Sequence, residues 1–137
     1  FEFKSYETSL DVKDFDTSFV KGLSFEDGCA TLTKFTAYLI ADGLRKINKQ
    51  NGINPYHCIF CGGGRKNKSL MQSIENYLVN KNIIINDIDN YNFDGNFIES
   101  QAFAYLAIRS YLKLPISFPS TTRCKKAISG GDILKNF

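Results

Sequence analysis

The stretch "YHCIFCGGGRKNKSLMQSI" (Tyr56–Ile74) decides the fold of this protein. Its first part is a short apolar run with a proline before it and glycines after it, which is typical of a buried strand. Its second part places Leu70 and Ile74 at helical spacing, with Leu78 one turn further on, and predicts a helix. A strand that passes through a glycine loop into a helix is a unit of α/β folds.

Patterns on either side extend this unit. Ser24 begins a sequence typical of a capping box, and Gly52 follows the last periodic residue, so we predict a helix at about 24–50. "NIIIN" (82–86) predicts a second buried strand. The apolar residues expected to face the core from the first helix are Leu32, Phe35, Leu39, Ile40, Leu44 and Ile47. Those that predict a third helix, ended by Pro115 and Pro119, are Ile98, Ala102, Tyr105, Ile108 and Leu112.

The resulting order, α-β-α-β-α, predicts a parallel sheet with helices packed on it. Two strands are few for such a sheet, which usually has about five or six. The sequence also lacks an initiator Met. We therefore expect a piece of a longer protein, with an irregular segment at 1–23 that leads into the main part at 24–137.

Composition limits the classes of function. The 137 residues are 43% hydrophobic and 23% charged, as in an ordinary globular domain. The net charge of +3 is spread along the chain, which argues against nucleic-acid binding. No apolar run is long enough to span a membrane. We expect no signal peptide ahead of the four cysteines, and therefore reduced thiols and a cytoplasmic location.

Cys58 and Cys61 have the spacing of a zinc or redox pair. On a strand, however, residues three positions apart point to opposite faces, so the two thiols could not chelate one ion. The sequence also has no second pair at metal-ligand spacing. We predict small buried side chains here and no metal, and we keep a zinc or redox module as the less favoured alternative.

Gly62, Gly63 and Gly64 lie where a strand ends and a helix begins. Without Cβ atoms, a ligand can approach the backbone closely, and the following helix offers unpaired N–H groups. In open α/β sheets, ligands bind at this end of the strands. The pattern suits the phosphate or ribose of a nucleotide, although it is neither of the common phosphate-loop motifs and a simple tight turn remains an alternative.

Several stretches together resemble one family, the anhydro-N-acetylmuramic acid kinases. "EDGCATLTKFTAYLIADGL" (Glu26–Leu44) is similar to that family's Asp-x-x-Ala-Thr-Leu-Thr-x-Phe-Thr-Ala helix, and "CGGGRKNKSLM" (Cys61–Met71) to its Cys-Gly-Gly-Gly-x-x-Asn-x-x-Leu-Met segment. "DGNFIESQAFAYLAIRSYLKLP" (Asp94–Pro115) resembles its Asp-x-x-Glu-Ala-x-x-Phe-Ala-Trp-Leu-Ala-x-Arg helix, and "FPSTTR" (Phe118–Arg123) its closing Pro-Ser-x-Thr-Gly. The order and spacing also agree.

The resemblance implies part of a ribonuclease-H-like domain of the actin/hexokinase/Hsp70 type. It also implies a kinase that uses ATP and Mg²⁺ to phosphorylate 1,6-anhydro-N-acetylmuramic acid, opening the anhydro ring with water. The product would be N-acetylmuramic acid 6-phosphate, an intermediate of peptidoglycan recycling.

The resemblance assigns roles to individual residues. Gly62, Gly63 and Gly64 match the family's nucleotide-contacting loop, and Asn67 matches the residue that opens the next helix. Glu99 matches a glutamate that faces the sugar, whose hydroxyls a carboxylate can hold by charge-assisted hydrogen bonds. Glu99 also completes a capping-box pattern that begins at residue 96, and the two roles are compatible.

The chain departs from the family pattern in ways that affect function. The phosphate-binding motif Gly-Thr-Ser-x-Asp-Gly and the segment with the catalytic aspartate are absent, so we assign no catalytic residue. Tyr6–Ser9 replaces Pro-Pro-Lys-Ser, and Arg123 stands where the family has glycine. We expect no turnover from this chain alone. An amino-terminal partner chain or a homodimer could complete it, and a non-catalytic nucleotide-binding relic or interaction module is the alternative.

Overall fold

The computed structural model describes residues 12–79, 81–132 and 134. Their contacts divide the described chain into two units, one that ends at Gly95 and one that begins at Asn96. Two short 3₁₀ helices, Val12–Asp14 and Ser18–Val20, precede the first α-helix. Residues 1–11, including the stretch Tyr6–Ser9, lie outside the described part, and the division at residue 23 stays a prediction. No described helix is long and apolar enough to cross a membrane.

Helix α1 spans Phe25–Asn51, close to the predicted range. Ser24 is its N-cap, and the Ser24 hydroxyl oxygen accepts a hydrogen bond from the Asp27 N–H at 3.1 Å. Gly52 ends the helix in the left-handed conformation (φ 62°), which glycine adopts without strain. Both helix signals in the sequence are therefore confirmed.

A two-stranded parallel sheet forms the other layer of the first unit. Strand β1 (Tyr56–Phe60) pairs with β2 (Ile83–Asp87), so that Tyr56 lies opposite Ile83 and Phe60 opposite Asp87. Helix α2 (Lys68–Leu78) makes the crossover between the two strands. The predicted α/β class with a parallel sheet is confirmed. Within the described part of the chain, each strand has one edge without a partner strand.

The core lies where α1 and α2 pack together and meet one face of the sheet. Its fully buried members are Ala37, Ala41 and Ile74, with Leu78 almost fully buried. The residues packed around them are Ile40, Leu44, Phe60, Leu70, Met71, Ile83 and Ile85. The predicted apolar stripe of α1 was therefore only partly right, because two alanines form its centre and allow α2 to approach closely.

Phe35 of the predicted stripe lies in a different environment. Its ring contacts those of Phe15 and Phe19 edge to face, with centroids 6.5 and 5.1 Å away. This aromatic cluster packs the segment before α1 against the helix.

The second unit contains α3 (Ile98–Tyr111) and the short helix α4 (Pro119–Thr122). Ser117 and Ile128 form an isolated antiparallel bridge. The Arg109 guanidinium stacks over the Tyr105 and Phe118 rings and donates from Nε to the Pro115 carbonyl at 2.7 Å. This arginine therefore fixes the turn that follows α3.

Helix α3 forms where the sequence predicts it. In the described structure none of its residues is buried, and Ile108 is 60% exposed.

Candidate functional site

The glycine loop follows β1 directly and has a conformation that only glycine adopts easily. Gly62 has φ 80° and ψ 177°, a region essentially closed to residues with a Cβ. The Gly62 N–H donates to the Gly95 carbonyl at 3.1 Å. The chain then makes a 3₁₀ helix over Gly63–Lys66 and enters α2.

Replacing Gly62 by alanine should lower the free energy of unfolding by about 1–3 kcal/mol, because the Cβ forces this backbone conformation into strain. Urea denaturation would measure the change. Gly43→Ala is the matched control, since Gly43 lies inside α1 and a Cβ there meets no atom within 4 Å. This control should be neutral or stabilise the helix by up to about 1 kcal/mol. Equal stability of the two variants would contradict the expectation.

Gly63 and Gly64 leave open space above the loop. A Cβ on Gly63 would meet no atom within 4 Å, and one on Gly64 would have its nearest neighbour, Leu70 Cδ2, at 3.8 Å. Packing within the chain therefore does not require glycine at either position. Both are exposed, so a ligand can reach this backbone.

Asn67 joins the loop to α2. It is the N-cap of the helix, and its Oδ1 accepts a hydrogen bond from the Leu70 N–H at 3.1 Å. The expectation that Asn67 opens this helix is confirmed. The positive end of the helix dipole consequently lies next to the glycines, where negative charge is favoured.

Arg65, inside the loop, is the residue that the sequence analysis did not single out. Its side chain is only 3% exposed. Nη1 donates to the Gly62 carbonyl at 2.9 Å, Nε to Asp87 Oδ1 at 3.1 Å and Nη2 to Asp89 Oδ2 at 2.7 Å. The hydrogen bond and charge of Asp89, with those of Asp87, raise the pKa of this guanidinium. The signal in the sequence that could have indicated such partners is the pair Asp87 and Asp89, at and just after the end of β2.

Gly95 completes the surroundings of Arg65. The Gly95 N–H donates to Asp89 Oδ1 at 2.7 Å, and a Cβ on Gly95 would lie 2.6 Å from Arg65 Cζ. In the structure, the close approach of the guanidinium is what excludes a side chain here.

The Gly95 amide and the Arg65 guanidinium together hold the pKa of Asp89 below its usual range. A carboxylate with a lowered folded-state pKa stabilises the fold above its unfolded pKa of about 4, and this contribution is lost as the pH falls through the folded value. In the Asp89→Asn variant, the free energy of unfolding should therefore fall less steeply as the pH is lowered from about 5 to about 2. Urea midpoints across this range would measure it, and unchanged steepness would contradict the assignment.

Glu99 lies in the first turn of α3, in the second unit, and is exposed. The predicted capping box is wrong: Phe97 occupies the N-cap position without a side-chain cap hydrogen bond, and the helix starts at Ile98. Glu99 is thus not drawn back to cap the helix. The structure brings Gly62, Gly63, Gly64 and Asn67 together in the first unit, and the sugar-facing role of Glu99 stays a prediction.

The two cysteines near the loop have different surroundings. Cys58 shares the inward strand face with Phe60, and burial raises the pKa of its thiol. Cys61 lies beyond the end of the strand and is exposed. Among the described residues, no group of three or more His, Cys, Asp or Glu side chains could hold a metal ion.

We expect iodoacetamide at neutral pH to modify Cys61 well before Cys58, because only the thiolate reacts and burial disfavours it. Peptide mass spectrometry after timed quenching would measure both rates. Equal rates would show that Cys58 is accessible and ionises readily, contrary to its position on the strand.

Arg123, the residue that replaces a family glycine, ends α4 with φ 57°. This left-handed conformation is the one that glycine adopts most readily.

These features define an α/β protein of the actin/hexokinase type, present in part, with an open glycine loop between a parallel strand and a capped helix. A model of the family described as anhydro-N-acetylmuramic acid kinase matches residues 6–136. The chain belongs to this family.

Curated relatives agree with this assignment. The chain is 56% identical over 129 residues to an anhydro-N-acetylmuramic acid kinase of Pelagibacter ubique. The matched region covers 94% of this chain and 34% of the relative. A protein of the same name from Caulobacter vibrioides is 40% identical, over 92% of this chain and 32% of its own length. One from Brucella canis is 37% identical, over 93% of this chain and 33% of its own length. The chain therefore spans about a third of the length of these relatives.

Proposed function

We propose that this chain forms the nucleotide-binding wall and part of the sugar-binding wall of an ATP-dependent kinase for 1,6-anhydro-N-acetylmuramic acid. The observation that carries the proposal is the open glycine loop, placed at the carboxyl end of β1 and directly before the capped start of α2. Membership in the family, whose curated relatives bear this kinase name, supports the choice of reaction.

The loop residues perform binding and orientation. At Gly63 and Gly64 the nucleotide lies directly on the backbone, since no side chain intervenes. The N-terminus of α2, fixed by Asn67, favours the negative charge of phosphate groups. Glu99, exposed on the second unit, holds sugar hydroxyls by charge-assisted hydrogen bonds.

In the proposed reaction, the oxygen of water bonds to the anomeric carbon of the anhydro sugar and the bond from that carbon to O6 breaks. O6 accepts the γ-phosphoryl group of ATP, and ADP leaves. A general base takes one proton of the attacking water. The product is N-acetylmuramic acid 6-phosphate, as in peptidoglycan recycling in the cytoplasm. We assign the base to no residue of this chain, which therefore contributes positioning.

Magnesium would accompany ATP in this reaction. The carboxylates near the loop, Asp87 and Asp89, are engaged by Arg65 and by backbone N–H groups, so they do not fit a metal site. In such sites Mg²⁺ usually keeps several waters and is bound by substrate phosphates and one or two carboxylates. No step of the proposal depends on a metal ligand from the described residues.

A chimera tests the proposed function. Residues of this chain would replace the matching third of the Pelagibacter ubique relative, and ATP-dependent formation of the sugar phosphate would be followed by mass spectrometry. We expect turnover, and we expect Glu99→Gln to raise KM for the sugar more than KM for ATP. A folded chimera without turnover would refute the proposal. The chain alone, which would need an amino-terminal partner chain or a homodimer to be complete, should show none.

A further inference from the structure

Arg65 closes a ring of hydrogen bonds around the base of the glycine loop. Its Nη1 donates to the Gly62 carbonyl, and the Gly62 N–H donates to the Gly95 carbonyl. The Gly95 N–H donates to Asp89 Oδ1, and Asp89 Oδ2 accepts from Arg65 Nη2. The ring therefore fixes both the N–H and the carbonyl of Gly62, the residue with the unusual backbone conformation.

A basic residue next to a nucleotide loop could in principle pair with phosphate. Arg65 is not placed to do so, because its side chain is 3% exposed and two carboxylates already share its charge. Turning it toward a ligand would break its hydrogen bonds to Gly62, Asp87 and Asp89. Gly63, Gly64 and Lys66 of the loop are exposed to solvent, whereas Arg65 is buried.

We propose that Arg65 is a positioning residue: it holds Gly62 so that Gly63 and Gly64 present their backbone to the nucleotide. The inference rests on the proposed function for the identity of the ligand. The geometry requires arginine, since three donors on one planar group reach Gly62, Asp87 and Asp89 at once. A lysine has one ammonium group and cannot span the three acceptors in this way.

The test compares Arg65→Lys with Arg45→Lys in the 137-residue chain. Arg45 is the matched control because it makes an ion pair with Asp42 on α1, with 3.4 Å between Arg45 Nη2 and Asp42 Oδ1, in a part-exposed position. Titration calorimetry with a non-hydrolysable ATP analogue measures affinity. Hydrogen exchange at the Gly62 and Gly95 amides measures whether the loop is fixed.

We expect Arg65→Lys to weaken analogue binding at least about tenfold and to speed exchange at both amides by a similar factor, while amides inside β1 and β2 change little. Arg45→Lys should alter neither. Unchanged affinity in folded Arg65→Lys, or unchanged exchange at Gly62 and Gly95, would overturn the proposal.

Two further outcomes are distinguishable. If Arg65→Lys does not fold, Asp89→Asn replaces it, since the exposed Asp89 side chain tolerates substitution and the change puts an amide opposite Arg65 Nη2. Asp89→Asn should then weaken analogue binding and speed exchange at the Gly62 and Gly95 amides, and the absence of these changes would overturn the proposal. If the unaltered chain binds no analogue, the titration is repeated in the Pelagibacter ubique chimera with and without Arg65→Lys. A folded chimera that binds no analogue refutes the proposed function, and the exchange rates then decide whether Arg65 fixes the loop.

Discussion

Gly63→Leu should weaken binding of an ATP analogue by at least about 100-fold while changing the free energy of unfolding by no more than about 0.5 kcal/mol. The reason is the geometry at Gly63. Its φ is not in the left-handed region, and a Cβ there meets no atom of the chain within 4 Å. A side chain can therefore leave the Gly63 backbone without a clash at its Cβ, whereas a nucleotide lying on that backbone would meet it.

Titration calorimetry and urea denaturation on the same preparations would separate the two effects. Gly43→Leu is the control, because Gly43 has similar free space but lies inside α1. It should leave affinity unchanged. Full analogue affinity in Gly63→Leu would exclude the loop as a nucleotide contact.

The largest effect on stability is expected at Ile74. This residue is the largest fully buried side chain of the described core, and it lies on α2 against Ala37 and Ala41 of α1. Ile74→Ala should lower the free energy of unfolding by about 2–5 kcal/mol, through lost apolar burial and the cavity that remains.

Ile53→Ala makes the same chemical change at a residue that is 51% exposed. It should cost less than about 0.5 kcal/mol in urea denaturation. Losses of equal size in the two variants would show that α1 and α2 do not form a packed core.

The strand, loop and helix of Tyr56–Ile74 could be predicted because each is encoded locally. Apolar runs, glycines and an N-cap asparagine act within a few residues of one another. The same holds for Ser24 and Gly52 at the ends of α1. The parallel pairing then follows from the order of strands and helices.

The features that were missed depend on contacts distant in sequence. Nothing next to Arg65 in the sequence marks it as buried, because its carboxylate partners lie 22 and 24 positions away. Ala37 and Ala41 carry little weight in an apolar pattern, and only the approach of α2 makes them central.

Among residues 12–79, 81–132 and 134, each strand has one edge without a partner strand, and this has a practical consequence for work with this chain. An exposed edge offers free backbone donors and acceptors to any extended segment, and Ile59 and Ile84 add apolar side chains at 48% and 42% exposure. Concentrated preparations should therefore aggregate through edge-to-edge strand addition. Ile59→Lys or Ile84→Lys would place a charge on the exposed strand face and disfavour strand addition. We expect either change to improve recombinant solubility without altering the loop.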